Sequence, residues 1–270
     1  MSTNENKGKK AEVTALQAIS AEDRKDWISL AFVQAGICVC VPAFLLGALL
    51  AEAMPIWPAI ISGSLGYLIV VVGMVATGMI GCDLGLASCT CCQGGFGKSG
   101  ARFIVSTIFA VNMMGWFGIQ NGVCGEAFSN AMLAMTGWDI PVVVSNTIWG
   151  IIMLLTAVYG VHALEKLDKI SIPLLMIIMC YGIFLAFKVY GTGNLNDEGT
   201  VQSMSFMSGV ALSFNFTAVG TITGPDYTRF QKSRKDTVKS VFYGVFPMGV
   251  ITLIMGIVLT KLAGQYDISM

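Results

Sequence analysis

The chain has 270 residues, 55% of them hydrophobic and only 12% charged, with a mean hydropathy of +0.73. Soluble domains carry about 25% charged residues, so a water-soluble globular fold is excluded and membrane lipid is the expected surrounding. Sixteen basic and sixteen acidic residues cancel, which leaves no basic excess of the kind that marks a nucleic-acid partner.

Residues 1–26 are polar and lack the apolar core of a signal peptide; they read as a cytoplasmic tail. A bilayer span needs about 20 largely apolar residues. Seven segments meet that requirement: 27–51, 57–80, 103–135, 141–161, 170–189, 203–224 and 240–260. The third is longer than a bilayer core and must tilt or protrude. An all-α membrane protein of seven transmembrane helices is therefore expected, with 263–270 as a short outer tail.

Two spans are interrupted. The first contains Gly36 and Pro42 in VQAGICVCVPAF, and the sixth contains Gly220, Gly224 and Pro225 in SFNFTAVGTITGPDY. Glycine and proline weaken helix continuity. Paired breaks five helices apart are the pattern of a transporter built from inverted repeats, in which unwound backbone at mid-membrane binds ions and substrate. On that reading 27–191 is a first repeat of five helices and 203–262 the start of a second. The alternative is that these glycines only permit close helix packing.

Basic residues orient the chain. With the N-terminus in the cytoplasm, the inner set is Lys7, Lys9, Lys10, Arg24, Lys25, Lys98, Arg102, Lys166, Lys169, Arg229, Lys232, Arg234, Lys235 and Lys239, and only Lys188 and Lys261 fall near the outer side. This asymmetry predicts an inside N-terminus.

The third span carries the clearest functional signal. Asn112, Trp116 and Gln120 in NMMGWFGIQN stand at i, i+4 and i+8, on one helix face. No residue from Phe103 to Gly125 is charged. Two amides and an indole in hydrocarbon must face protein, water or a ligand. An aromatic plate beside an amide suits a flat polar ring, although tryptophan also serves as plain packing between helices.

Other candidates are weaker. Cys89, Cys91 and Cys92 form C-x-C-C, but zinc wants four placed ligands and the only histidine is His162. The eight cysteines lie mostly in or beside apolar segments and do not form a disulfide framework. Glu126 and Asp83 sit near span ends, where interface water reduces the cost of their charge. Asp226 and Arg229 in PDYTRF are expected to fix the loop after the sixth span. No nucleotide-binding loop, nucleophile elbow, HExxH or dinucleotide fingerprint occurs, so neither an enzyme nor a bound cofactor is expected. A channel lacks the charged ring or filter repeat it would need.

GWFGIQ in the third span, TGMIGCDLGL…GGFGKSG before it, and GPDYTRF after the sixth resemble the nucleobase–cation symporters, in particular the cytosine/purine permease branch. The resemblance runs from about Trp27 to Gly264. It implies a five-plus-five inverted-repeat fold, shared with sodium-coupled amino-acid transporters, and import of a nucleobase such as cytosine or a purine with sodium or protons. It implies that Trp116 stacks on the substrate ring and that Gln120 hydrogen-bonds the base. The cytosine-branch glutamine position is Met113 here, and Gln93 replaces a basic residue common in the second-to-third loop. The resemblance further implies an aromatic partner at Phe216 or Phe214, with Phe216 favoured, an edge contact from Asn215, and sodium-binding backbone carbonyls at Gly36 and Val39. Family members carry further spans beyond the seventh, including an eighth that completes the sodium site. The chain is therefore expected to be truncated, with an incomplete second repeat. It is also expected to be unable to drive accumulation alone, and to have loosely packed sixth and seventh helices beside an exposed groove. The alternative is a transport-inactive fragment or a binding partner of a nucleobase permease.

Overall fold

The structure, a computed structural model, describes residues 16–158, 161–192, 195 and 204–264, with side chains at 158–169 left undescribed. Most of the expected tail at 1–26, the end of the outer tail at 263–270 and the side chain of His162 lie outside the described residues. The described regular elements are all helical.

The first span is broken as expected. α1 (Trp27–Cys38) and α2 (Val41–Ala53) meet at an angle of 54°. The break falls at Val39 (φ −91°, ψ 75°) and Cys40 (φ −142°, ψ 155°). Pro42 stands in the first turn of α2. Its ring has no N–H and blocks continuation from the preceding turn, so the chain must leave helical torsions just before it.

α3 (Ile56–Leu84) is one long span, closed by Gly85 in the left-handed region at φ +66°. The short α4 (Ser88–Cys91) and α5 (Gln93–Gly100) lead through a π turn at Ala101–Val105 into α6 (Ser106–Thr136). Together 93–136 make the over-long third span. α7 (Val142–Val158) is apolar but has only 17 residues. α8 (Val161–Tyr190) holds the fifth span. Among the described residues five helices are long and apolar enough to cross a membrane, and six with the bent pair counted as one. α7 corresponds to the remaining expected span.

The sixth span differs from expectation. α9 (Phe206–Thr217) and α10 (Val219–Thr228) join at Ala218, which keeps right-handed helical torsions (φ −54°, ψ −31°), so Phe206–Thr228 runs as a single span rather than an unwound one. The cause is a row of polar ties to α3. Ser213 Oγ donates to the Gly63 carbonyl at 2.7 Å, Thr77 Oγ1 to the Thr221 carbonyl at 2.6 Å, and Thr228 Oγ1 to the Gly78 carbonyl at 2.7 Å. Small residues allow the approach: a Cβ on Gly81 would lie 2.5 Å from the Pro225 Cα. Close backbones with hydroxyl-to-carbonyl bonds are how membrane helices hold together without a hydrophobic drive between them.

α11 (Arg234–Ala263) also corrects expectation. It is not loosely packed but the most enclosed span, with 50% of its apolar window buried against 6% for the third span. A Cβ on Gly256 would strike the Phe44 carbonyl, and one on Gly244 would lie 2.5 Å from the Ala31 carbonyl, so α11 rests directly on the backbones of α1 and α2. The core gathers Leu46, Leu50, Tyr67, Met74, Val241, Leu253 and Ile257. α1, α2, α3, α9, α10 and α11 thus form one bundle. α6 and α7 pair beside it through the Ser129–Ser145 hydroxyl bond (2.7 Å) and the edge-to-face Phe128–Trp149 pair (5.6 Å). The exposed side lies on α6 and its neighbours rather than on the seventh helix.

Candidate functional site

Two members of the α6 stripe, Trp116 and Gln120, face the bundle near the break in the first span. Trp116 and Phe216 meet with ring centroids 5.1 Å apart and planes at 87°, an edge-to-face contact between α6 and α9. Phe216 also packs against the core, whereas Phe214 is exposed. The structure therefore places Phe216, not Phe214, beside Trp116. One turn beyond Trp116, Gln120 is half-buried and its side chain lies beside Cys40 in the α1–α2 break. The Cys40 thiol in turn donates to the Ile37 carbonyl at 3.4 Å.

The expected arrangement is only partly assembled. Trp116, Gln120 and Phe216 come together. Asn112 and Asn215 are exposed, so both amides stand outside that junction. The rings do not form an open sandwich. Aromatic pairs favour the edge-to-face geometry in the absence of an intervening ring, and a 5.1 Å contact leaves no parallel slot. Cys40 was not among the residues singled out from the sequence. The available signal was its place two residues before Pro42, where a break is forced.

Backbone oxygens at the break are the feature suited to a cation. A helix end leaves carbonyls without intrahelical partners. In the last turn of α1 the Ile37 carbonyl accepts from Cys40, and the Cys38 carbonyl accepts from Thr252 Oγ1 at 3.2 Å. Gly36 and Val39 flank these two, with Val39 turned out of helical torsions. Hard oxygen donors of this kind suit sodium rather than a transition metal. Among the described residues no group of three or more His, Cys, Asp or Glu side chains is placed to hold a metal. In the C-x-C-C segment, burial first, then Cys92 and Asp226, raises the Cys91 thiol above its usual range. Burial, Cys89 and Asp226 do the same for Cys92. Both effects disfavour the thiolate that a metal requires.

The motif carboxylates have structural partners. Asp226 accepts from the Ser88 N–H at 3.0 Å and from the Ser88 hydroxyl at 2.8 Å, which docks the α3–α6 connection onto α10. Asp83 accepts from Arg234 through two guanidinium nitrogens. Glu126 is exposed on α6.

A family profile described as "Permease for cytosine/purines, uracil, thiamine, allantoin" matches residues 19–269. The chain belongs to this permease family. It is 27% identical over 250 residues to the cytosine permease of Escherichia coli K12, covering 91% of this chain and 57% of that protein. It is 25% identical over 247 residues to the purine-uracil permease NCS1 of Arabidopsis thaliana, covering 82% of this chain and 41% of that one. The chain thus spans between about two fifths and three fifths of the length of these relatives. Among solved structures it resembles Mhp1, a nucleobase-cation-symport-1 family transporter, in a closed conformation with bromovinylhydantoin bound, with a TM-score of 0.81, 17% identity, and coverage of 94% of this chain and 59% of that one. It also resembles the inward-facing conformation of Mhp1, with a TM-score of 0.78 and 18% identity. The fold is accordingly that of an inverted-repeat transporter, and the chain is a multi-pass membrane protein of a family of permeases, not enzymes.

Proposed function

We propose that this permease binds a planar nucleobase-like heterocycle at the junction of Trp116, Phe216 and the α1–α2 break, and takes part in cation-coupled import of that substrate across the cell membrane. The observation that carries the reading is the meeting of Trp116 and Phe216 beside a broken helix, in a chain of the cytosine/purine permease family.

The two rings part to admit the ligand, with Trp116 taking one face and Phe216 the other. Gln120 reads the ring edge, since its amide both donates and accepts, and Asn215 and Asn112 turn inward as the site fills. The carbonyls of Gly36 and Val39 contribute part of a sodium shell; coupling to protons is the other form of the proposal. The N-terminus lies in the cytoplasm, 27–191 forms a first repeat and 203–262 opens a second.

Uptake of radiolabelled cytosine, uracil and purines into vesicles, measured with sodium, with choline in its place, and with an imposed proton gradient, tests the reading. Saturable uptake of one of these bases that depends on a cation supports it. Uptake equal to protein-free vesicles for every base under every gradient, together with no saturable binding of any of these bases to the purified chain, counts against it.

A further inference from the structure

The chain immediately before α1 lies across one end of the bundle. The buried Ile19 donates its N–H to the Gly85 carbonyl at 2.9 Å, at the left-handed end of α3. The Lys25 N–H donates to the Phe230 carbonyl at 2.7 Å, and Lys25 forms a parallel bridge with Gln231. Arg24 Nη1 donates to the Gln231 carbonyl at 2.9 Å. Residues 19–26 therefore span from the end of α3 to the α10–α11 loop and lead straight into the broken first span.

Two groups lie at the strap's anchor point. Cys82 is 2% exposed and its thiol donates to the same Gln231 carbonyl at 3.7 Å. The Gln231 side chain is fully buried, and neither its Oε1 nor its Nε2 pairs with a protein group among the described residues. A buried unpaired amide is costly, whereas the same amide in water is satisfied. Closure of the strap is thus opposed by Gln231 and held by Arg24 and the backbone bonds. The Lys232–Asp26 ion pair contributes little, because both side chains are more than half exposed. Such a balance of opposed contacts, few of them deep in the core, is the mark of a segment that opens locally while the rest stays folded.

We propose that residues 19–26 are a reversible strap that closes this end of the bundle over Gln231 and Cys82, with Arg24 as its clasp, and that the strap lifts together with the start of α1. The proposal stands whether or not the chain carries a nucleobase.

Cys82 is a natural reporter. The full chain in lipid nanodiscs is treated with N-ethylmaleimide, and the alkylation rate of each cysteine is read by peptide mass spectrometry. Cys82 should react far more slowly than Cys89. Arg24→Ala should raise the Cys82 rate about tenfold, as expected for loss of a charged donor, and leave Cys89 and the core residue Cys38 unchanged. Arg24→Lys should fall between. Gln231→Leu removes the unpaired amide and should slow Cys82 below the unmodified chain. An unchanged Cys82 rate in Arg24→Ala, a parallel rise at Cys38, or faster labelling in Gln231→Leu would each overturn the proposal.

Discussion

Trp116 of α6 and Phe216 of α9 touch edge to face at 5.1 Å, and theirs is the one aromatic contact between α6 and the bundle among the described ring pairs. Its geometry defines what a ligand must do. A ring stacked between two others needs roughly 7 Å between the outer planes, at the lower stacking distances of aromatic pairs on each side. One ring must therefore turn, or the helices must separate, before a heterocycle enters.

The bundle itself should tolerate no bulk between α2 and α11. Gly256→Ala places a methyl against the Phe44 carbonyl, a backbone atom that cannot rotate aside. Overpacking of this kind costs about 1–3 kcal/mol. Gly118→Ala on α6 meets nothing within 4 Å and should be neutral or stabilising by about 0.5–1 kcal/mol, because alanine is the better helix former. Unfolding midpoints in detergent separate the two. Equal midpoints for the two variants would contradict the close α2–α11 seat.

Topology offers a second test. The strap before α1 is bonded to Phe230 and Gln231, so the α10–α11 loop shares a side with the N-terminal segment. With the N-terminus inside, a cysteine at Lys235 should resist an impermeant maleimide in intact cells and react in inverted vesicles. Lys235 is preferable to Ser233, whose hydroxyl caps α11 by accepting from the Asp236 N–H at 3.2 Å. Labelling of intact cells at this position would invert the assigned orientation.

Much of this was legible in the sequence because it rests on local rules. Pro42 forces a break just before itself, and uncharged runs of bilayer length mark spans. The sixth span is divided at Ala218, as an interruption requires, but does not unwind, and the reason is tertiary. Gly224 and Pro225 weaken a lone helix, but Gly81 makes room for Pro225, and Thr77 and Thr228 tie both helices together. α11 was misjudged for the same kind of reason, since Gly244 and Gly256 reveal their contacts with α1 and α2 only after the chain has folded back. Within the site, the helical spacing of Trp116 and Gln120 was visible. The contact of Gln120 with Cys40 was not, because no periodicity links the third span to the first.

The C-x-C-C thiols should show their surroundings in a pH series. Burial and neighbouring groups raise Cys91 and Cys92, so at a given pH less thiolate is present than in an unstructured peptide. Iodoacetamide should modify both more slowly than a cysteine peptide at neutral pH, and their rates should keep rising after the peptide has levelled off. Rates that match or exceed the peptide at neutral pH would show an activated thiol instead.

The central claim is that the Trp116–Phe216 contact opens to hold a planar heterocycle. Equilibrium binding of radiolabelled cytosine, uracil and purines to the purified chain, compared among the unmodified protein, Trp116→Ala, Phe216→Ala and Trp57→Ala, tests it most directly. Trp57 is 70% exposed at the start of α3 and serves as the aromatic control. The account predicts that one of these bases binds, that loss of either ring at the contact weakens it about tenfold, in keeping with 0.5–1.5 kcal/mol for an aromatic pair beyond its buried area, and that Trp57→Ala leaves it unchanged. Binding that is insensitive to Trp116→Ala and Phe216→Ala, or that falls equally in Trp57→Ala, would contradict it.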